Sequence, residues 1–185
     1  YDEFVEGVVA AAREVQPGDG LDEDTTMGPS VDGRQLEQVL HYMNVAEEEG
    51  ATVEIGGGRL TDGDLGHGLF PEPTVLSDVD PDSRLAQEEI FGPVLSVIRV
   101  DSFDEAIDAM NNSSYGLTSA IFTEDVDRAF EYLDRAETGM LHVNNPTLGS
   151  RTHLPFGGLK NTGVGDREQG KDAIEFYTET QTAII

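Results

Sequence analysis

Two segments of the sequence combine turn-forming residues with side chains that could bind a ligand. The first reads EEIFGPV at residues 88–94, and the second reads LPFGGLKNTGVG at residues 154–165. In the first segment, Gly92 and Pro93 predict a tight loop in front of a strand, and such a loop directs the side chains that precede it. A carboxylate there can accept two hydrogen bonds. Glu89 and Phe91 are therefore candidate binding residues, although each taken alone is as well explained as surface acid and core aromatic.

Thiolate chemistry is excluded within the chain, because it contains no cysteine. Disulfides, thiolate metal ligands and a cysteine nucleophile are all ruled out for these 185 residues. The four histidines are spread along the chain without the spacing of metal ligands, and no Ser-His-Asp arrangement can be argued from their positions. We therefore predict no metal site.

The charge of the chain is strongly negative. Its 37 acidic residues oppose 11 basic ones, and the formal net charge is −26. This composition fits either a disordered acidic chain or a folded protein with the carboxylate-rich surface typical of halophiles, and the regular apolar periodicity favours the folded protein. Such a surface repels phosphates, so nucleic acid and anionic membranes are not expected as partners.

No apolar run approaches the length of a membrane span, and no signal peptide opens the sequence. From these features we expect a cytoplasmic protein. The length of 185 residues is enough for one domain with a sizeable core.

The first half of the chain begins with helical patterns. Apolar residues recur at helical spacing over residues 4–15, and a second amphipathic helix is predicted to end at Gly50. A strand at residues 51–55, an extended segment at 73–76 and a short helix near 82–88 follow. The second helix is predicted to bury one apolar face, made of Leu36, Val39, Leu40, Met43 and Ala46.

The second half alternates strands and helices. Strands are predicted at residues 94–100, 117–122 and 140–143, with helices between them. The first of these helices starts at a Ser-x-x-Glu capping box formed by Ser102 and Glu105. The second is predicted to turn four apolar residues inward, namely Val126, Ala129, Phe130 and Leu133. This order predicts an α/β fold with a mostly parallel open sheet and flanking helices, followed by a separate C-terminal strand over residues 177–185.

Several short motifs occur in one order along the chain, and together they resemble the aldehyde dehydrogenase superfamily, in its C-terminal, catalytic-domain portion. The order is MGP at 27–29, PTV at 73–75, EEIFGPV at 88–94, YGL at 115–117, VN at 143–144, the glycine-rich segment at 155–165 and YTE at 177–179. The resemblance implies a catalytic-domain portion at residues 1–176 and an oligomerisation strand at 177–185, and therefore a homo-oligomer. HVNNPT at 142–147 and GDREQG at 165–170 most resemble the α-ketoglutarate semialdehyde (2,5-dioxovalerate) dehydrogenases.

The resemblance also implies a reaction. A thiolate adds to a small-molecule aldehyde, hydride passes to NAD or NADP, and water activated by a carboxylate releases the carboxylate product. The nucleophile, the general base and the cofactor lobe of the family precede the segment matched here, so we expect the 185-residue chain alone to be inactive. A stand-alone, non-catalytic remnant or interaction module of the same fold is the alternative.

Four residues match functional positions of the family, and a fifth is a candidate for substrate recognition. By this resemblance Glu89 holds the ribose hydroxyls of the nicotinamide, Phe91 packs beside the nicotinamide ring, Asn144 supports the active site and Phe156 lines the substrate tunnel. Arg151 lies where the family varies with substrate, and we hypothesise that it pairs with the distal carboxylate of a semialdehyde acid. The last three residues also have ordinary alternatives. Asn144 can be a loop-forming asparagine, Phe156 a buried structural phenylalanine, and Arg151 a partner in a surface salt bridge.

Overall fold

The computed structural model describes residues 1–149 and 151–185, which form two compact units, Tyr1–Val100 and Asp101–Ile185. We refer to them as unit 1 and unit 2. The boundary between the units falls inside the predicted catalytic-domain portion at residues 1–176.

Unit 1 contains three α-helices, a short 3-10 helix and a three-stranded sheet. In chain order these are α1 (Asp2–Arg13), α2 (Gly33–Glu48), β1 (Thr52–Ile55), the 3-10 helix (Gly63–His67), β2 (Thr74–Ser77), α3 (Arg84–Gln87) and β3 (Val94–Ser96). The central strand β2 pairs antiparallel with β1 and parallel with β3. Each predicted element is present here, with ends that shift by a few residues.

The core of unit 1 follows from the alternation of side chains along β2. Successive residues of a strand point to opposite faces of the sheet, so Val75 packs in a cluster with Val5 of α1. Leu76 packs in a second cluster with Val39 and other residues of α2. Full burial of a valine or leucine side chain contributes about 1.5 to 3 kcal/mol. Helices therefore cover both faces of a strand that is buried along its whole length.

The start of α2 is fixed by a side-chain cap. Asp32 accepts a hydrogen bond from the backbone N–H of Gln35 at 2.9 Å, an interaction that contributes about 1 kcal/mol to a helix. The predicted apolar face is confirmed at Leu36, Val39 and Ala46, which are buried. Tyr42 is buried as well, although the sequence pattern did not include it.

Unit 2 has shorter elements arranged around two strand pairs. They are α4 (Phe103–Asn111), β4 (Tyr115–Gly116), β5 (Thr118–Ile121), α5 (Val126–Arg135), β6 (Met140–Val143), β7 (Leu159–Lys160) and α6 (Asp172–Phe176). Strands β5 and β6 are parallel and joined through α5, as the alternation of elements predicted. Strands β4 and β7 are antiparallel. The α/β class is confirmed, with its strands divided among three small sheets.

The predicted capping box at the start of α4 is present. Ser102 Oγ accepts from the N–H of Glu105 at 3.1 Å. The Glu105 carboxylate reaches back to the N–H of Asp101 at 2.8 Å, one residue before the cap. Two backbone donors at the helix start are satisfied in this way.

The predicted inward face of α5 is wrong at three of its four residues. Val126, Phe130 and Leu133 are exposed, and Phe130 has 65% of its surface accessible. The helix instead buries Tyr132, which is 1% exposed and shares a 2.7 Å hydrogen bond with Ser119 of β5. The predicted face was wrong because the apolar pattern left out Tyr132. Tyrosine combines a large ring with one hydroxyl, and a hydrogen-bond partner for that hydroxyl makes its burial favourable.

Residues 177–185 belong to no strand in this chain, and all of them are exposed. A strand needs a hydrogen-bonded neighbour, and no segment in the described ranges pairs with this tail. The oligomerisation strand therefore stays a prediction about pairing with another chain. None of the helices in the described part of the molecule combines the length and the apolar character that crossing a membrane requires.

Candidate functional site

The loop of residues 88–94 connects α3 to β3 and packs closely against α2. The N–H of Thr74 donates to Pro93 O, and the N–H of Val94 donates to Gly92 O, both at 2.8 Å. A Cβ built on Gly92 would lie 2.3 Å from Val39 Cγ2. The loop approaches α2 so closely that only glycine fits at this position.

Two side-chain amides of α2 fix the backbone of this loop. Gln38 Nε2 donates to Ile90 O at 3.1 Å and to Glu89 O at 3.3 Å. Gln35 Nε2 donates to Phe91 O. Residues three apart share one side of a helix, so the two amides act as a clamp on three consecutive carbonyls. Sequence reasoning missed this clamp, and its only signal is the i, i+3 spacing of the two glutamines.

Phe91 adopts an unusual backbone conformation within the clamp. Its φ angle is +57°, a left-handed value that is rare for residues other than glycine, asparagine and aspartate. Its ring is 71% exposed, so it is not the core residue that the alternative interpretation required. Strain of this kind costs about 1 to 3 kcal/mol and clusters at ligand-binding sites.

The side chain of Glu89 has no hydrogen-bond or ion-pair partner among the described residues. The residue is exposed, and in the described part of the chain its carboxylate takes part in no salt bridge or hydrogen bond. The loop thus presents a free carboxylate and an exposed aromatic ring two residues apart. This arrangement can accept hydrogen bonds from hydroxyls and place a ring against a flat ligand.

Glu88 differs sharply from its neighbour. Its carboxylate accepts a hydrogen bond from Tyr42 Oη at 2.8 Å and from Arg84 Nε and Nη2 at 3.0 to 3.2 Å. The hydrogen bonds from Arg84 and then Tyr42 hold the pKa of the Glu88 carboxyl below its usual value. Burial and the nearby carboxylate raise the pKa of the Tyr42 hydroxyl. Sequence reasoning treated Glu88 only as part of a motif, although the i, i+4 spacing from Arg84 indicates a helix ion pair.

In unit 2, Asn144 follows β6 with a φ angle of +52°. Its Oδ1 accepts from the N–H of Thr123 at 2.8 Å, and its Nδ2 donates to Thr123 O at 2.9 Å. The Asn144 N–H donates to Ile121 O at 2.8 Å. The side chain therefore extends the β5–β6 pairing by one step and fixes the start of the following loop.

Arg151 borders a cavity of about 380 Å³ in unit 2. His142 and Asn145 line the same cavity, and its remaining lining residues are Gly139, Met140, Leu141, Gly149, Leu154 and Pro155. The surface salt bridge offered as the alternative for Arg151 is not formed with any residue in the described ranges. Lys160, unlike Arg151, is paired: its amine contacts the Glu137 carboxylate at 3.0 Å and two backbone carbonyls.

Phe156 lines a second, smaller cavity of about 210 Å³, so the structure does not bring Phe156 and Arg151 together at one cavity. Arg167 and Phe176 border the smaller cavity as well. The guanidinium of Arg167 donates to Gly158 O at 2.7 Å. This bond fixes the glycine-rich segment beside Phe156.

Comparison with known proteins identifies the family. The model of the "Aldehyde dehydrogenase family" matches residues 1–183. The chain belongs to the aldehyde dehydrogenase family. The resemblance inferred from the ordered motifs is thereby confirmed.

Among curated aldehyde dehydrogenases, the alpha-ketoglutarate semialdehyde dehydrogenase of Haloferax volcanii is 44% identical over 183 residues, covering 98% of this chain and 38% of that protein. The human mitochondrial aldehyde dehydrogenase is 41% identical over 187 residues, covering 100% of this chain and 35% of that protein. The chain thus spans little more than a third of the length of these relatives.

Solved structures of aldehyde dehydrogenases match the fold of this chain. The betaine aldehyde dehydrogenase of Staphylococcus aureus, crystallised in complex with NAD+, is 36% identical with a TM-score of 0.91. The match covers 95% of this chain and 35% of that chain.

Proposed function

We propose that this chain supplies the cofactor-facing and substrate-facing surfaces of an NAD- or NADP-dependent aldehyde dehydrogenase that oxidises a small-molecule aldehyde to a carboxylate. The observation that carries the proposal is the loop of residues 88–94. Its backbone is clamped by α2, while the Glu89 carboxylate and the Phe91 ring are left exposed. The nicotinamide cofactor supplies hydride acceptance when it is bound.

The two side chains fit such a cofactor chemically. The Glu89 carboxylate can accept two hydrogen bonds from the vicinal hydroxyls of a ribose. The exposed Phe91 ring can pack beside a nicotinamide and limit its movement. Similarity to a betaine aldehyde dehydrogenase crystallised with NAD+ supports this assignment.

The 185 residues contain no cysteine, so they supply no thiolate for attack on the aldehyde. Turnover in this proposal uses a nucleophile and a general base from outside these residues, and the isolated chain is inactive. The missing cysteine also favours the second candidate, a non-catalytic module of the same fold. A parent mass well above 20.0 kDa, measured in source cells with an antibody against this chain, supports the enzyme. A mass of 20.0 kDa supports the stand-alone module.

The direct test is aldehyde-dependent reduction of NAD and NADP by the complete gene product. We expect turnover by the complete protein and none by the 185-residue chain. Formation of NADH by the 185-residue chain alone contradicts the proposal, as does a complete protein that reduces neither cofactor.

For the substrate, we propose an aldehyde that carries a distal carboxylate. Three observations support it: the Arg151 guanidinium, which has no ion pair within the described ranges, the cavity beside it, and similarity to alpha-ketoglutarate semialdehyde dehydrogenases. Arginine binds carboxylates through two parallel hydrogen bonds. In a chain of net charge −26, an arginine that borders a cavity and pairs with no acid among the described residues is the feature that attracts an anionic substrate.

Replacement of Arg151 by glutamine tests this assignment. We expect kcat/KM for a semialdehyde acid to fall about tenfold or more, because one charge-assisted contact is lost, while uncharged aldehydes are unaffected. Lys171→Gln is the matched control, since it removes a cation that borders neither cavity. Equal turnover of charged and uncharged aldehydes by the unmodified enzyme removes the reason for the assignment.

We also propose that the protein is a homo-oligomer joined in part through residues 177–185. The support is that this exposed tail has backbone groups without strand partners in the described chain. Light scattering before and after removal of these residues measures the subunit count.

A further inference from the structure

Glu88 and Glu89 are adjacent residues of the same type with opposite environments. The Glu89 carboxylate has no partner among residues 1–149 and 151–185, whereas the Glu88 carboxylate accepts hydrogen bonds from Tyr42 and Arg84. Glu88 has extended backbone angles, with φ −110° and ψ +151°. In extended backbone, successive side chains point in opposite directions, so holding the Glu88 side chain determines where the Glu89 side chain points.

The contacts of Glu88 connect the loop to the core of unit 1. Tyr42 is 8% exposed and belongs to the same buried cluster as Ile90, the residue after Glu89. Arg84 binds both oxygens of the Glu88 carboxylate through Nε, at 3.2 and 3.1 Å, and its guanidinium lies 5.9 Å from the centroid of the Tyr42 ring. Both ends of Glu89 are therefore fixed to one packed cluster.

The two oxygens of Glu88 and the two amides of the clamp hold different parts of the loop. Gln35 and Gln38 bind the backbone carbonyls of residues 89–91, whereas at the entry to the loop the backbone is held by the N–H of Glu88, which donates to Arg84 O at 2.8 Å. The side-chain hydrogen bonds of Glu88 add a second restraint there. Without them only the backbone bonds of Glu88 and Glu89 remain, and the Glu89 carboxylate is held less firmly in one direction.

We infer that Glu88 is a positioning residue, which holds Glu89 and Phe91 in the orientation that binds the nicotinamide nucleotide. This inference rests on the proposed function. Glu88 itself does not contact the cofactor, since its carboxylate is occupied by Tyr42 and Arg84.

Hydrogen exchange on the complete gene product, measured without added cofactor, tests the positioning directly. In Glu88→Gln we expect exchange at the amides of Thr74, Glu88 and Val94 to rise about tenfold, the factor for one lost charge-assisted hydrogen bond. Amides of α1 should not change. Glu131→Gln is the matched control, because Glu131 also pairs with an arginine four residues away. Unchanged exchange around the loop overturns the inference, and so does an equal rise throughout unit 1.

Kinetics of the complete gene product supply the second measurement. In Glu88→Gln we expect KM for the cofactor to rise about tenfold, with kcat changed less than about twofold. If Glu88→Gln does not fold, Tyr42→Phe removes one donor and keeps the ring in the core. Loss of kcat with unchanged cofactor KM overturns the inference.

The two failures are distinguishable. If the unmodified complete protein reduces no cofactor, the proposed function fails, and the inference fails with it. If the unmodified protein is active and the exchange rises but the cofactor KM of Glu88→Gln is unchanged, the inference alone fails.

Discussion

The two units differ in how much of their apolar surface they bury. Unit 1 contains almost all of the buried hydrophobic residues in the described chain, including two separate clusters on the faces of β2. Unit 2 contributes only Ile107 and Tyr132 to that set. It leaves several large apolar side chains exposed instead: Phe122, Val126, Phe130, Leu148, Ile174 and Tyr177.

The same difference separates the two groups of candidate residues, each considered within its own unit. The loop that presents Glu89 and Phe91 is tied to a packed core through Gln35, Gln38 and Glu88. In unit 2 Arg151 borders an open cavity, and no residue in the described ranges forms an ion pair with it. The orientation of Glu89 and Phe91 is therefore fixed by the local fold, whereas that of the Arg151 side chain is not fixed by an ion pair within the described ranges.

Replacement of Leu76 by alanine should have the largest effect on stability. Leu76 is 0% exposed, so its truncation leaves a cavity and costs about 2 to 5 kcal/mol. Phe130→Ala, at an exposed position in α5, should change the free energy of unfolding by less than about 0.5 kcal/mol. Urea denaturation at constant salt measures both. Similar losses from the two substitutions show that the apolar stripe of α5 is packed in solution.

Replacement of Gly92 by alanine should have the next largest effect. The new Cβ would lie 2.3 Å from Val39 Cγ2, and overpacking of this kind costs about 1 to 3 kcal/mol. Gly20→Ala is the control, because nothing lies within 4 Å of a Cβ built there. The melting temperatures of the two variants can be compared by circular dichroism. A Gly92→Ala protein as stable as Gly20→Ala means that the loop does not press on α2.

Asn144→Ala tests the loop after β6 in unit 2. Alanine loses both hydrogen bonds to Thr123 and tolerates the +52° φ angle less well than asparagine. We expect a loss of about 1 to 2 kcal/mol. Asn145→Ala, next to it, has no such bonds among the described residues and should cost less. Equal losses of unfolding free energy in the two variants indicate that the Asn144 side chain does not make these hydrogen bonds to Thr123.

The ion pair of Glu88 should give the smallest stability effect, visible as a pH dependence. Its folded pKa lies below the ordinary value of 4.5, so its contribution is complete above pH 4.5 and is lost as the pH falls through the folded pKa. The difference in unfolding free energy between the unmodified chain and Glu88→Gln should therefore shrink in acid. A difference that is constant down to about pH 3 contradicts the pairing.

Much of the local structure was predictable from sequence because it depends on neighbours in the chain. The Ser102 capping box and the parallel β5–β6 pair both follow from short-range patterns. The tight loop at Gly92 and Pro93 is of the same kind. These features need only local backbone preferences and the alternation of apolar residues.

The features that sequence did not predict depend on contacts between distant residues. Tyr42 and Glu88 are 46 positions apart, and Gln35 and Phe91 are 56 positions apart. The left-handed backbone of Phe91 arises in the context of such contacts, since nothing in an aromatic residue favours it. The exposure of α5 is a similar case, because a helical pattern shows an apolar face but not what covers it.

Cofactor binding by Glu89→Gln in the complete gene product tests the central claim most directly, with Glu47→Gln, an exposed α2 glutamate, as the matched control. We expect the dissociation constant for NAD or NADP to rise about tenfold or more in Glu89→Gln, since hydrogen bonds to a charged carboxylate are lost. Glu47→Gln should bind the cofactor as the unmodified protein does. Equal dissociation constants for all three proteins contradict the assignment of the loop as the cofactor-binding element.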